Sequence, residues 1–228
     1  MVGKSEAAEG EVSRNLNGQK LGRKGKDTRA RILAAAAELI SDEGGDPITL
    51  SAVARRVSLG MTSLYLYFSD LTELIIAVLE PVTATAEQDF IWRLRERWPD
   101  DELAQHCQAF VADFYGHWRK HSRLLHLRNS MADAHDQRMM AQRVQLGQVI
   151  IRLVVHQMDG ETVALQSPRY SMASMLITGI ERASTVWTDS ALRHLIDSPD
   201  FGDSARFLTP AARLLELGIR DMRAMPKD

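Results

Sequence analysis

Apolar positions along this chain recur at helical spacing, and no stretch alternates apolar and polar residues as a strand does. The pattern predicts an all-α protein. Asp27 caps a first helix whose buried face is Ile32, Leu33, Ala36, Leu39 and Ile40, and Gly44-Gly45 stops it. Asp46-Pro47 then turns the chain into two short helices between Ile48 and Phe68. Thr49 is placed to cap the first of these, with Val53 and Val57 on one face. Ser58-Leu59-Gly60 interrupts the pattern before Leu64 and Phe68 resume it. Asp70 and Glu73 read as a capping box opening the next helix, with Leu71, Leu74, Ile75, Val78 and Leu79 as its apolar positions. Pro81 predicts a kink, and Phe90, Ile91 and Leu94 keep the period to about residue 97. Further helices are expected near residues 101–120, 122–131, 135–158, 168–188 and 203–224. There are no internal repeats.

The two short helices concentrate polar chemistry. Between the apolar anchors Leu64 and Phe68 and just before them lie Met61, Thr62, Ser63, Tyr65 and Tyr67. A helix with one apolar stripe and a hydroxyl-rich opposite face, held by a short preceding helix, is the layout of a helix-turn-helix reader of the DNA major groove. Periodicity alone fits equally well an ordinary helical hairpin whose Tyr and Thr face water. Context favours the reader: a long amphipathic helix precedes it, a basic segment precedes that helix, and a capped helix follows. The formal net charge of -2 does not by itself suggest a nucleic-acid binder. Its distribution changes the picture, because Lys20, Arg23, Lys24, Lys26, Arg29 and Arg31 face only Asp27 in the same segment, and phosphate binding needs such a local basic stripe.

Residues from about 29 to 80 resemble the DNA-binding domain of the tetracycline-repressor (TetR) family of bacterial regulators. The matching pieces are Ile32-Leu33, Ala36-Ala37 and Leu39, then Gly44, Ile48-Thr49, Val53-Ala54 and Arg56. Ser63-Leu64-Tyr65, Tyr67-Phe68 and Glu73-Leu74 continue the match without a gap. Three positions depart from the family pattern. Ser58 stands at the inter-helix turn where Gly is usual, Met61 opens the recognition helix in place of a basic or polar residue, and Leu71 replaces a phosphate-binding Lys. The resemblance implies a DNA-binding unit over residues 27–72, preceded by a disordered basic arm (1–26) and followed by a helical ligand-binding and dimerisation domain (73–228). Thr49, Ser51, Tyr65 and Tyr67 are expected on phosphates, Met61, Thr62 and Ser63 at base edges, and Lys24 and Lys26 on the arm.

Composition sets outer limits. A chain 45% hydrophobic and 25% charged has an ordinary globular balance, and the larger domain is long enough to bury a core. The single cysteine, Cys107, excludes an intrachain disulfide and fits a reducing compartment. The first residues have neither the basic start nor the apolar core of a signal peptide, and no apolar run approaches the ~20 residues that cross a bilayer. A cytoplasmic location without membrane contact is therefore expected.

Phe110, Phe114 and Trp118 form a stripe at helical spacing, which is either plain core or the wall of a ligand cavity. Members of the TetR family bind small molecules among the corresponding helices. The expected ligand-contacting set is Phe110, Phe114, Trp118, Met140, Val144, Ile151, Met175 and Trp187, and its apolar, Met-rich character favours a hydrophobic effector. His117 and His121 sit four residues apart as metal ligands do, but no third ligand stands out, so no metal or other cofactor is expected. Asp100-Asp101-Glu102 reads as a helix start. No catalytic motif is present, and an enzyme has little support. The last two helices have broad apolar faces, including Met172, Met175, Leu176 and Ile180 on one and Leu214, Leu215, Leu217 and Ile219 on the other. Such faces suit burial by a second subunit. The resulting expectation is a ligand-responsive repressor, a homodimer on a near-palindromic double-stranded operator, released by a small hydrophobic effector. The alternative is a small-molecule-binding helical protein with a degenerate DNA-binding unit.

Overall fold

The computed structural model describes residues 22–42, 46–160, 164–190, 192 and 204–226. Among them are nine α-helices and no strand. In chain order they are α1 (Arg23–Ser41), α2 (Leu50–Arg56), α3 (Met61–Leu64), α4 (Leu71–Asp89), α5 (Leu103–Lys120), α6 (Ser122–Asp133), α7 (Gln137–Gln157), α8 (Pro168–Thr188) and α9 (Ala205–Ala224), with a 3₁₀ turn at Ile91–Leu94. The chain forms two compact units, one up to Val78 and one from Leu79.

The first unit is held by a small core and by caps. Ile32 and Ala36 of α1, Val53 of α2, Leu64 of α3 and Leu74 of α4 are completely buried, and Phe68 is nearly so. Burying each of the larger side chains is worth roughly 1.5–3 kcal/mol. The Arg31 guanidinium donates to the Val57 carbonyl at 3.0 Å, so α1 also satisfies the end of α2. Thr49 caps α2 as expected, its hydroxyl accepting the Ala52 N–H at 3.1 Å. At the other end of α2 the chain turns through Ser58 at φ 55°, in the left-handed region that favours glycine. The Ser58 and Leu59 N–H groups close back on the Arg55 and Ala54 carbonyls at 3.2 and 2.9 Å, a Schellman ending built without glycine. Asp70 accepts the Glu73 N–H at 2.9 Å, as a capping box requires, while the Glu73 carboxylate reaches past Asp70 to the Ser69 N–H at 2.7 Å and the Ser69 hydroxyl at 2.6 Å.

In the second unit α9 packs on α5 and α8, and α7 packs on α6 and α8. Its interior is aromatic around Phe90, which meets Phe114 edge-on at 5.1 Å and His117 at 5.3 Å. Two buried polar side chains tie distant segments together. Gln157 is fully buried, donates to the Leu94 and Glu96 carbonyls at 3.0 and 2.7 Å, and accepts the Trp98 N–H at 2.9 Å. Arg169, 2% exposed, donates to the Met158 carbonyl at 3.1 Å and the Met222 carbonyl at 3.1 Å, meeting chain ends that α7 and α9 leave unsatisfied.

Several expected boundaries move. Helix α1 starts at Arg23 rather than after an Asp27 cap, with Gly22 as N-cap and the Lys26 N–H on the Gly22 carbonyl at 3.0 Å. Arg and Lys are good helix formers, so the segment just before Asp27 joins the helix. Lys24 and Lys26 are therefore helical, and only residues 1–21 of the expected arm, like Gly44-Gly45, lie outside the described residues. Helix α4 runs through Pro81 but ends at Asp89, because Phe90 leaves the helical region (φ −151°, ψ −27°) and the chain tightens into the 3₁₀ turn. The acids before α5 make no side-chain cap; Asp100 instead accepts from Arg223 at 2.5 Å.

Candidate nucleic-acid interface and ligand cavity

In the first unit, burial of Leu64 and Phe68 leaves the other side chains of this short segment turned outward. Thr49, Ser51, Thr62 and Tyr65 are exposed, and Met61, Ser63 and Tyr67 are half-buried. Helix α3 is shorter than the sequence implies, since Tyr65 and Tyr67 lie in the turns after Leu64 rather than on a continued helix. The Tyr67 N–H on the Leu64 carbonyl at 2.9 Å and the Phe68 N–H on the same carbonyl at 3.1 Å hold those turns. Lys24 is exposed and Lys26 half-buried, both in the first turns of α1, beside Arg23. Cations at a helix start oppose the helix dipole.

Sequence reasoning passed over Arg55. It is exposed in the last turn of α2, whereas its neighbour Arg56 pairs with Glu38 at 3.4 Å in the open. Its position just after the buried Val53-Ala54 pair is the signal in the sequence that turns it outward.

In the second unit the expected ligand-contacting residues separate. A narrow cavity of about 30 Å³ is lined by Phe90, Phe114, His117, Trp118, Ile150 and Ile177, among others. It shares Arg143, Gly147 and Glu181 with a wider, open groove of about 820 Å³ that Val144 and Ile151 line. Phe110 is completely buried and lines neither. Met140 also lines neither, and Trp187 stacks on Phe207 at 5.2 Å. Met175 is 74% exposed on α8 and lines neither space; Leu214 and Leu217 are exposed apolar side chains of α9. The apolar lining expected from the sequence holds only for the narrow end. The groove is bordered by Asp133, Arg143, Glu181, Arg182 and Asp189, charged residues that helical spacing alone does not bring together.

Between the two spaces lies a buried ion pair. Arg128, 6% exposed, donates to Glu181 at 3.1 Å and to the Asn129 side chain at 2.9 Å, with its guanidinium 5.8 Å from the Trp118 ring. Burial pushes the guanidinium's pKa below its ordinary value, and Glu181 opposes that shift.

His117 and His121 acquire a neighbour the sequence did not suggest. Asp89, at the end of α4, lies 2.7 Å from His117 Nδ1, and the three side chains place one donor atom each within 4.8 Å of one another. The hydrogen bond from His117 holds the Asp89 carboxyl below the usual carboxylate range. Burial pushes His117 down although Asp89 pulls the other way, and burial likewise pushes His121 down. The pair is a neutral imidazole donating Nδ1–H to an ionised carboxylate. The Nε2 atoms of both histidines are buried without a hydrogen-bond partner. Cys107 is buried and its thiol is pushed up to about 12, mainly by burial, so it is not a nucleophile.

Residues 32–78, spanning the capped α2, the Ser58 turn and α3, match the model of bacterial regulatory proteins of the tetR family. The DNA-binding unit thus carries the signature of the tetR family. Two solved structures share the fold. A TetR-like transcriptional regulator from Rhodococcus sp. RHA1 is 20% identical with a TM-score of 0.50, over 90% of this chain and 100% of that one. The fatty acid degradation regulator FadR from Bacillus halodurans is 14% identical with a TM-score of 0.54, over 89% of this chain and 99% of that one. No curated protein matches. This chain is thus a TetR-like DNA-binding transcriptional regulator. Among its described residues no helix is long and apolar enough to cross a membrane.

Proposed function

We propose that this regulator is a repressor that binds a near-palindromic operator as a homodimer and leaves it when a small effector fills the cavity of the second unit. The observation that carries the reading is the exposed row Thr62 and Tyr65 beside the buried anchors Leu64 and Phe68, with Thr49 and Ser51 exposed at the start of α2. Thr62 and Ser63, with Met61 against a thymine methyl, read base edges, and the hydroxyls of Ser51, Tyr65 and Tyr67 hold phosphates. Arg23, Lys24 and Arg55 add charge where the Lys usual at position 71 is absent. The exposed apolar side chains Met175 on α8 and Leu214 and Leu217 on α9 support pairing of two copies through these helices.

The cavity favours an effector with an apolar body and an acceptor-bearing head. The body fits among Phe114, Trp118 and Ile177, and the head meets Arg128 and Arg143. This reading amends a purely hydrophobic effector. Release follows if the effector binds the operator-free state more tightly than the bound one. The other reading, a ligand-binding protein with a degenerate reader, drew on Ser58 and Leu71. The closed hydrogen bonds around Ser58 weaken it, because the turn forms without glycine.

Selection of bound fragments from source genomic DNA, followed by footprinting, tests the reading. The expected result is protection of two half-sites about one helical turn apart, by a species of twice the chain mass. A monomer that protects no sequence would overturn it.

A further inference from the structure

We propose that Asp89, His117 and His121 form a binding site for a divalent transition-metal ion of the zinc class, at the wall of the narrow cavity. The three residues converge from two helices: Asp89 closes α4, and His117 and His121 lie one turn apart at the end of α5. One donor atom from each lies within 4.8 Å of the others. A tetrahedral ion with bonds of about 2.0–2.1 Å needs its donors about 3.3 Å apart, so the two imidazoles must turn toward each other to close on it.

The hydrogen-bond pattern points the same way. His117 gives its Nδ1–H to Asp89, which leaves Nε2 as an unprotonated lone pair; that atom is buried and has no donor to accept from. His121 Nε2 is buried and unpartnered as well. A carboxylate that orients an imidazole through one nitrogen while the other nitrogen stands free is the arrangement in which histidines bind metals. An ordinary polar core would pair these atoms.

The surrounding charge selects the class of ion. Lys120 and Arg128 are the cations within electrostatic reach of the histidines, and Asp89 is the acid opposing them. A hard ion such as Ca²⁺ or Mg²⁺ needs several oxygen ligands and finds one carboxylate here. Two imidazole nitrogens, with Asp89 orienting one of them from the outer sphere and water completing the shell, suit Zn²⁺, Co²⁺ or Ni²⁺, held by inner-sphere bonds rather than by net negative charge. His117 also lines the narrow cavity, so a bound ion would have an open coordination position beside it.

The test uses the full chain stripped of metal with a chelator. Titration with Co²⁺ should produce visible ligand-field bands that saturate at one ion per chain, and Zn²⁺ should abolish them. X-ray absorption of the zinc form should show two imidazoles in the first shell. His121→Gln, at a half-buried position, and Asp89→Asn should each weaken binding at least about 10-fold with helix content unchanged. Absence of the bands, or fewer than two imidazoles around the zinc, would overturn the proposal without relying on any variant. So would affinity unchanged in both variants, which would place the ion on exposed histidines elsewhere.

Discussion

The two units hold their polar groups in opposite ways. In the first, the hydroxyls proposed to meet DNA are exposed or half-buried, and the frame that presents them is local: Thr49 to Ala52, Asp70 to Glu73, Ser58 to Arg55. In the second, the polar groups that matter are buried and tied across long stretches of chain. Gln157 reaches Leu94 63 residues away, and Arg128 reaches Glu181 53 residues away. A surface read by a large polyanion needs donors in water on a rigid frame. A cavity that recognises a small molecule needs desolvated donors whose partners are already in place. The difference makes the reader tolerant of polar substitution at its working positions and the body intolerant of it.

The largest expected effect separates frame from function within the reader. Leu64 is completely buried, so Leu64→Asp places a charge in an apolar site and should cost more than about 4 kcal/mol, melting the first unit alone. Stepwise unfolding in denaturant, with the second transition unmoved, would check this. In the body, Gln157→Leu strands two carbonyls and one N–H and should cost roughly 2–4 kcal/mol, moving the other transition. If both substitutions moved both transitions equally, the units would not be separate cooperative blocks.

Tyr65→Ala should leave both transitions in place, because the ring is 48% exposed, and yet lower operator affinity by roughly 10-fold. Its slope of log affinity against log salt should fall little, since a hydroxyl releases no counterion, whereas Arg55→Ala should make the slope shallower by about 1 per subunit. Equal affinity for Tyr65→Ala and the unmutated protein would remove Tyr65 from the interface.

This contrast also explains what could be read in advance. Caps, breaks and apolar spacing are local, so the reader was legible from Thr49 to Glu73 and the later helices to within a few residues. The start of α1 lies before Asp27, a good cap by type, because helix propensity over the preceding residues decides it in favour of Gly22. In the body the chemistry was invisible where it depends on pairing. Asp89 meets His117 only because α4 stops at Phe90, and no spacing rule brings residues 28 apart in sequence together. Met175 sits in an apolar run, and only the packing of α8 on its neighbours decides that it faces outward.

A smaller effect probes the body by pH. Glu216 is held between Arg213 at 2.6 Å and Arg220 at 2.9 Å, and the hydrogen bond from Arg213, with that from Arg220, keeps its carboxyl below the ordinary glutamate value. A folded-state value lowered in this way stabilises the fold above the unfolded value. That contribution fades as pH falls through the lowered one. The melting-temperature gap between the native chain and Glu216→Gln should therefore be full at neutral pH and close on acidification below the usual glutamate range. A gap independent of pH would mean that the carboxylate's charge does not matter.

The smallest effect compares one backbone conformation in both units. Ser58 and Asp159 each occupy the left-handed region, at φ 55° and 57°, and each closes a Schellman ending, after α2 and after α7. Glycine relieves the left-handed strain, worth roughly 1 kcal/mol, but adds freedom to the unfolded chain, which returns part of that gain. At Ser58 the side chain is exposed and makes no hydrogen bond, so Ser58→Gly should stabilise the first unit by a few tenths of a kcal/mol, up to about 1. Asp159 also accepts from Arg97, at 3.0 Å through Nη2, so Asp159→Gly removes an ion pair along with the strain. The second unit should then gain nothing or lose slightly. Denaturant midpoints of the two transitions, measured on both variants, decide the matter. Stabilisation by both glycines would show that the Arg97 pair contributes little and that the body, like the reader, is governed at this site by local conformation alone.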